Sequence, residues 1–163
     1  HGEQTAGLAQ MREGLARFRG TGSLIGTPYY RGLLAVALAK IGSAEQALTI
    51  LEEALAAVEE RRERWPEAAL YRFKANILTL DAHAETTKLA ESALRTALKI
   101  ASRQHAKTFA LHAACLLADL LRKGDQQPEA AELCQQIRAW CRKGLAKKDR
   151  EEMEMLEKRW QRR

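Results

Sequence analysis

The stretch best suited to chemistry is Gly20-Thr21-Gly22-Ser23-Leu24-Ile25-Gly26, because glycine-rich loops can wrap a phosphate in backbone N–H groups. That use requires a strand before the loop and a helix after it, so that the helix N-terminus faces the anion. Here the glycines follow the helical segment MREGLARFR, and their spacing is GxGxxxG. No Gly-Lys-Ser/Thr follows, and the acid at a suitable distance, Glu45, opens a helix rather than ending a second strand. The expectation is an interhelical turn: glycine takes the left-handed position after one helix, and Pro28 stands in the first turn of the next.

Other reactive side chains do not assemble a pattern. His105 and His112 are seven residues apart, but a break near Ala106 puts them on different helices; His1 and His83 stand alone. A metal needs three or four converging ligands, and no HExxH occurs. Cys115, Cys134 and Cys141 include no CxxC pair; Cys134 and Cys141, two turns apart on one helical face, read as buried thiols in a reducing cytoplasm. Glu52-Glu53 and Glu59-Glu60 stand near Arg61, Arg62 and Arg64, as on a solvated face crossed by helical ion pairs. No Ser/His/Asp or Cys/His set is recognisable from spacing. No catalytic residue, metal or cofactor is therefore expected.

The elements behind these residues are helical. Hydrophobic residues make up 46% of the 163, charged residues 29% and aromatics only 6%. The apolar set is dominated by Ala and Leu, which lose least on entering a helix. No apolar run reaches the roughly 20 residues that a transmembrane helix needs. Helical periodicity predicts segments at about 3–19, 28–41, 44–62, 66–80, 84–104, 107–123, 128–143 and 149–162. Gly or Pro punctuates most gaps, and Ser43 with Gln46 reads as a capping box.

A repeat runs through these helices. Alternate members carry a small residue, a larger apolar one four on, and usually a small one three further. In order these are Gly7, Met11, Gly14; Ala47, Leu51, Ala54; Ala90, Leu94, Ala97; and Ala130, Cys134, Ile137. Their spacings are 40, 43 and 40. The intervening helices carry Ala35, Ala75 and Ala118 at the matching place, and the longer middle spacing implies a longer turn around Asp81–Glu85. Small residues let two helices approach, and the larger one fills the gap to the next hairpin, as in a helical solenoid.

The small-x3-large-x2-small pattern resembles the tetratricopeptide repeat. The stretches GLAQMREGLARFRGTGSLIGTPYY, LAKIGSAEQALTILEEALAAVEERRERWPEAALYRFKANIL and AESALRTALKIASRQHAKTFALHAACLLADLLRKG are similar to the C-terminal repeat region of large bacterial signal-transduction ATPases. Several of those also carry a nucleotide-cyclase or DNA-binding domain. The resemblance implies an all-α, right-handed superhelix acting as a sensor or partner-binding arm, and a protein-interaction role in signal transduction or transcription regulation. The expected layout is one repeat domain over residues 1–163, with a partial hairpin at 1–27, repeats at about 28–64, 65–106 and 107–144, and a capping helix at about 149–162. His1-Gly2 reads as the turn of a hairpin whose first helix lies upstream.

In such an architecture the first helix of each hairpin lines the concave side. Stepping from the small alanines along that side gives Tyr29, Gly32, Val36 and Lys40; Arg72 and Asn76; and His112, Cys115, Asp119 and Arg122. The candidates for gripping a peptide, a partner helix or another domain of the same chain are Tyr29, Lys40, Arg72, Asn76, His112, Asp119 and Arg122. Arg72 and Arg122 offer planar forks for a carboxylate. Self-association through an uncovered apolar face is a further expectation. The net charge of +6 comes mainly from residues 142–163, which hold nine Lys/Arg against five Asp/Glu. That basic tail makes a nucleic-acid-binding domain the rival reading, although a broad basic face with interleaved aromatics is missing. The stripe Met153, Leu156 and Trp160 reads as the face by which the capping helix shields the last hairpin.

Overall fold

The computed structural model describes residues 2–81 and 83–141, together with 147, 150, 151, 154 and 155. Among the described residues there are seven α-helices and no strand: α1 (Gly2–Gly20), α2 (Thr27–Lys40), α3 (Ala44–Arg61), α4 (Glu67–Leu78), α5 (Ala84–Arg103), α6 (Lys107–Lys123) and α7 (Gln127–Cys141). Each begins and ends within two residues of the bounds expected from periodicity. The expected capping helix at 149–162 lies outside the described residues, except for positions 150, 151, 154 and 155, which are helical.

The turns explain where the helices stop. After α2, Gly42 adopts φ 92, its N–H bonds Ala39 O at 3.0 Å, and the Ser43 N–H reaches back to Leu38 O at 3.1 Å. That pair of bonds satisfies carbonyls that the helix end leaves open. The same arrangement closes α5 around His105 (φ 54) and α6 around Asp125 (φ 59). Gly22 (φ 79) and Arg62 (φ 56) hold the left-handed position after α1 and α3. From Gly22 to Arg62 is 40 residues and from Arg62 to His105 is 43, the spacings already seen from Gly7 to Ala47 and from Ala47 to Ala90. The backbone therefore repeats with the side-chain pattern, although only one of these three joints is glycine.

Ser43 corrects one expectation. It is the N-cap of α3, but its side chain makes no capping hydrogen bond. The turn is held instead by the backbone bond from Ser43 back to α2, so a capping box with Gln46 does not form.

The chain divides into two compact units, His1–Ala93 and Leu94–Arg163, with the boundary inside α5. In the first unit, α2 packs on α1, α3 and α4, and α3 also packs on α4. Ala35, Ala47, Leu51, Ala54 and Ala75 have no accessible surface, so the residues that carry the repeat are the core. Gly32 lies at a tight contact of α2 with α4: a Cβ there would lie 2.6 Å from Leu70 Cδ2 and 2.7 Å from Phe73 Cδ2. Any larger residue would force these side chains, or the helices that carry them, to shift. The matching triplet of α1 behaves differently, with Gly7 half-buried, Met11 37% exposed and Gly14 exposed.

In the second unit α6 packs on α7. Leu94, Ala97, Leu117, Ala118 and Leu121 are buried, and Leu111, Cys115 and Cys141 form a core cluster flanked by Ile137 and Trp140. The Cys141 thiol points at Lys107 O, 3.9 Å away. Cys134, expected to be a buried thiol, is half-buried, and none of the three cysteines is in a disulfide.

Candidate functional site

The glycine stretch that opened the sequence is a turn between two helices. Gly20 ends α1, Gly22 is the left-handed joint, and Gly26 (φ 80) caps α2, with Pro28 in its first turn. A helix rather than a strand precedes it. One hydrogen bond gives this turn a different use. The Gly26 N–H donates to Glu63 Oε1 at 2.6 Å, and the same oxygen accepts the Trp65 indole N–H at 2.8 Å. Glu63 thus ties the α1–α2 turn to the α3–α4 turn, which are 37 residues apart in sequence.

Aromatic rings gather at that tie. Phe18 lies edge-on to Tyr30 with centroids 5.5 Å apart, Tyr30 is edge-on to Tyr29 at 6.0 Å, and Tyr29 sits 5.3 Å from Trp65 and 5.7 Å from Phe73. The Arg72 guanidinium lies over the Phe73 ring, 4.6 Å from its centroid. Such contacts hold rings in place beyond what burial alone provides. The supported side is buried and the outer side is not: Leu24 is 45% exposed, Ile25 75%, Tyr30 46% and Trp65 45%. A protein surface rarely leaves neighbouring large apolar groups uncovered without a use for them.

Of the seven expected gripping residues, the structure brings two to this cluster, Tyr29 and Arg72, through their shared contact with Phe73. Asn76 is half-buried one turn beyond Arg72, and its carbonyl accepts the Thr79 hydroxyl at 3.0 Å. Lys40 is exposed at the far end of α2, about 16 Å from Tyr29 along the helix axis. His112, Asp119 and Arg122 are half-buried on α6 in the second unit. Gly32 and Cys115, also expected to face the groove, are buried instead. Each lies three residues from a core alanine, Ala35 or Ala118, and so shares its inward face.

Sequence reasoning missed Leu24, Ile25, Tyr30, Glu63 and Trp65. A usable signal was present: aromatic residues flank a proline in both Pro28-Tyr29-Tyr30 and Trp65-Pro66. Matching turns of successive hairpins are natural places for such residues to meet.

The charged residues around the site pair locally. Arg64 bridges Glu59 at 2.5 Å and Glu67 at 3.4 Å, Arg31 pairs with Glu53, and Lys74 lies 3.8 Å from Glu52. Of the acids expected on a solvated face, Glu52, Glu53 and Glu59 are ion-paired, but their partners lie on neighbouring helices or across the turn rather than along the same helix, and Glu60 is in none of these pairs. In the second unit, the later half of α5 together with α6 and α7 encloses a cleft of about 330 Å³. Leu98, Leu117, Leu121 and Leu133 line it, and an Arg95–Glu129 pair at 2.6 Å closes one side. None of the expected gripping residues lines that cleft.

Among the described residues no group of three His, Cys, Asp or Glu could hold a metal ion, and no helix is long and apolar enough to cross a membrane. No protein-family model, curated protein or solved structure matches this chain.

Proposed function

We propose that the chain is a non-catalytic, helical-repeat protein-interaction arm, with its hairpins stacked in the right-handed manner of tetratricopeptide repeats. The observation that carries this reading is the exposure of Tyr30 and Trp65, whose rings rest on Phe18 and Tyr29, beside the exposed turn residues Leu24 and Ile25. Binding energy at protein interfaces concentrates in a few aromatic and arginine side chains held in place before the partner arrives. The recurrence of both side chains and left-handed joints at 40 and 43 residues supports the repeat architecture. The resemblance of three long stretches to the C-terminal region of bacterial signal-transduction ATPases supports a cytoplasmic sensor or autoregulatory arm attached to such an enzyme or to a transcription regulator.

Panning the protein against a displayed random-peptide library tests this reading. Enriched peptides with dissociation constants on the order of micromolar, competing with one another and weakened by Trp65→Ser, are the expected result. An empty selection, combined with duplex DNA binding that falls steeply with salt, would replace this reading with the nucleic-acid one.

A further inference from the structure

The patch is apolar at its centre, and its charge is unevenly spent. Three acids at this end of the first unit are engaged internally: Glu59 and Glu67 by Arg64, and Glu63 by the Gly26 and Trp65 N–H groups. Three exposed arginines are not: Arg19 in the last turn of α1, Arg61 in the last turn of α3, and Arg62 at the joint that leads to Trp65. None of the ion pairs among the described residues involves them. Glu60 is the one nearby acid without such a partner.

We infer that this end of the first unit receives an acidic, apolar peptide segment of a partner protein, its leucine- or phenylalanine-type side chains on Ile25, Tyr30 and Trp65 and its carboxylates on Arg19, Arg61 and Arg62. This rests on the interaction reading above and names the partner's chemistry. Exposed aliphatic groups such as Ile25 gain nothing against a sugar-phosphate backbone, which is bound by cations and stacked rings. The Glu63 carboxylate beside Trp65 repels phosphate at the centre, whether from nucleic acid or from a lipid headgroup. A carboxylate-bearing peptide avoids that repulsion by placing its acids at the rim and its apolar groups in the middle. The arginine rim then governs orientation and encounter, and the rings govern retention.

The test uses Trp140→Phe/Trp160→Phe protein, in which Trp65 is the only tryptophan. A synthetic peptide with Asp/Glu alternating with Leu/Phe is titrated while Trp65 emission is followed, beside a peptide with Lys replacing each acid. Phosphatidylserine vesicles and a DNA duplex are run in parallel. The acidic peptide is expected to shift Trp65 emission to the blue, and the lysine peptide is expected not to. Ile25→Ser and Arg61→Glu/Arg62→Glu, both at exposed positions, should each weaken the titration by about tenfold with unchanged circular dichroism. Equal response to both peptides, indifference to both variants, or a shift with vesicles or duplex alone would overturn the inference. Library-derived peptides without acidic residues that still compete at Trp65 would also overturn it, while leaving the interaction reading standing.

Discussion

Helices α1 and α3 carry the same pattern and meet different fates. In α3 the triplet Ala47, Leu51 and Ala54 is wholly buried. In α1 the equivalent Gly7, Met11 and Gly14 range from half-buried to exposed. The difference is one of neighbours: α3 packs against both α2 and α4, whereas α1 packs on α2. A small-large-small triplet therefore encodes a capacity to be covered, and between α1 and α3 it is the helix with neighbours on both sides whose triplet is fully buried. Two glycines in α1 fit the same account, because a Cβ added at Gly7 or Gly14 would meet nothing within 4 Å.

Substitutions can break this contrast, beginning with the largest effect. Leu51→Ala should cost about 3 kcal/mol or more, since a fully buried leucine leaves a cavity its neighbours cannot fill. A loss under about 1 kcal/mol in chemical denaturation would mean that the α3 face is loosely packed. Gly14→Ala should raise stability by about 0.5–1 kcal/mol, because an exposed helix interior gains from alanine and no neighbour is crowded. Destabilisation instead would reveal a covered α1 face. The joints sharpen the comparison further. Gly22→Ala, forced to keep φ 79, should lose about 1 kcal/mol, while Arg62→Gly should gain a few tenths, at most about 1 kcal/mol. The smallest effect belongs to Met11→Ala, which should change the midpoint by no more than about 0.5 kcal/mol.

Much of the fold was legible because its signals are local. Periodicity placed all seven helices, and the alanine–leucine register identified Ala35, Ala47, Leu51, Ala54 and Ala75 as sites of close contact, where the structure buries them completely. What escaped was tertiary. The repeat sets the α1–α2 and α3–α4 turns in corresponding places, but that Gly26 and Trp65 share the Glu63 carboxylate depends on how closely the two turns meet, which spacing does not give. The reading of Gly32 as a groove residue failed for a geometric reason. Three residues before a core alanine is nearly a full turn, so the position returns to the inward face. The capping role given to Ser43 failed because backbone bonds from the preceding helix had already closed the turn.

The left-handed joints carry one more consequence. Gly22 and Arg62 both leave their helices in the left-handed region and stand 40 residues apart. Deleting residues 23–62 would join Gly22 directly to Glu63, so that the chain leaves α1 through its own joint and enters the turn that natively introduces α4. The two joints thus bound a 40-residue cassette whose removal keeps the left-handed exit from α1. On this view the number of helices is a variable that gene-level insertion and deletion can adjust one cassette at a time.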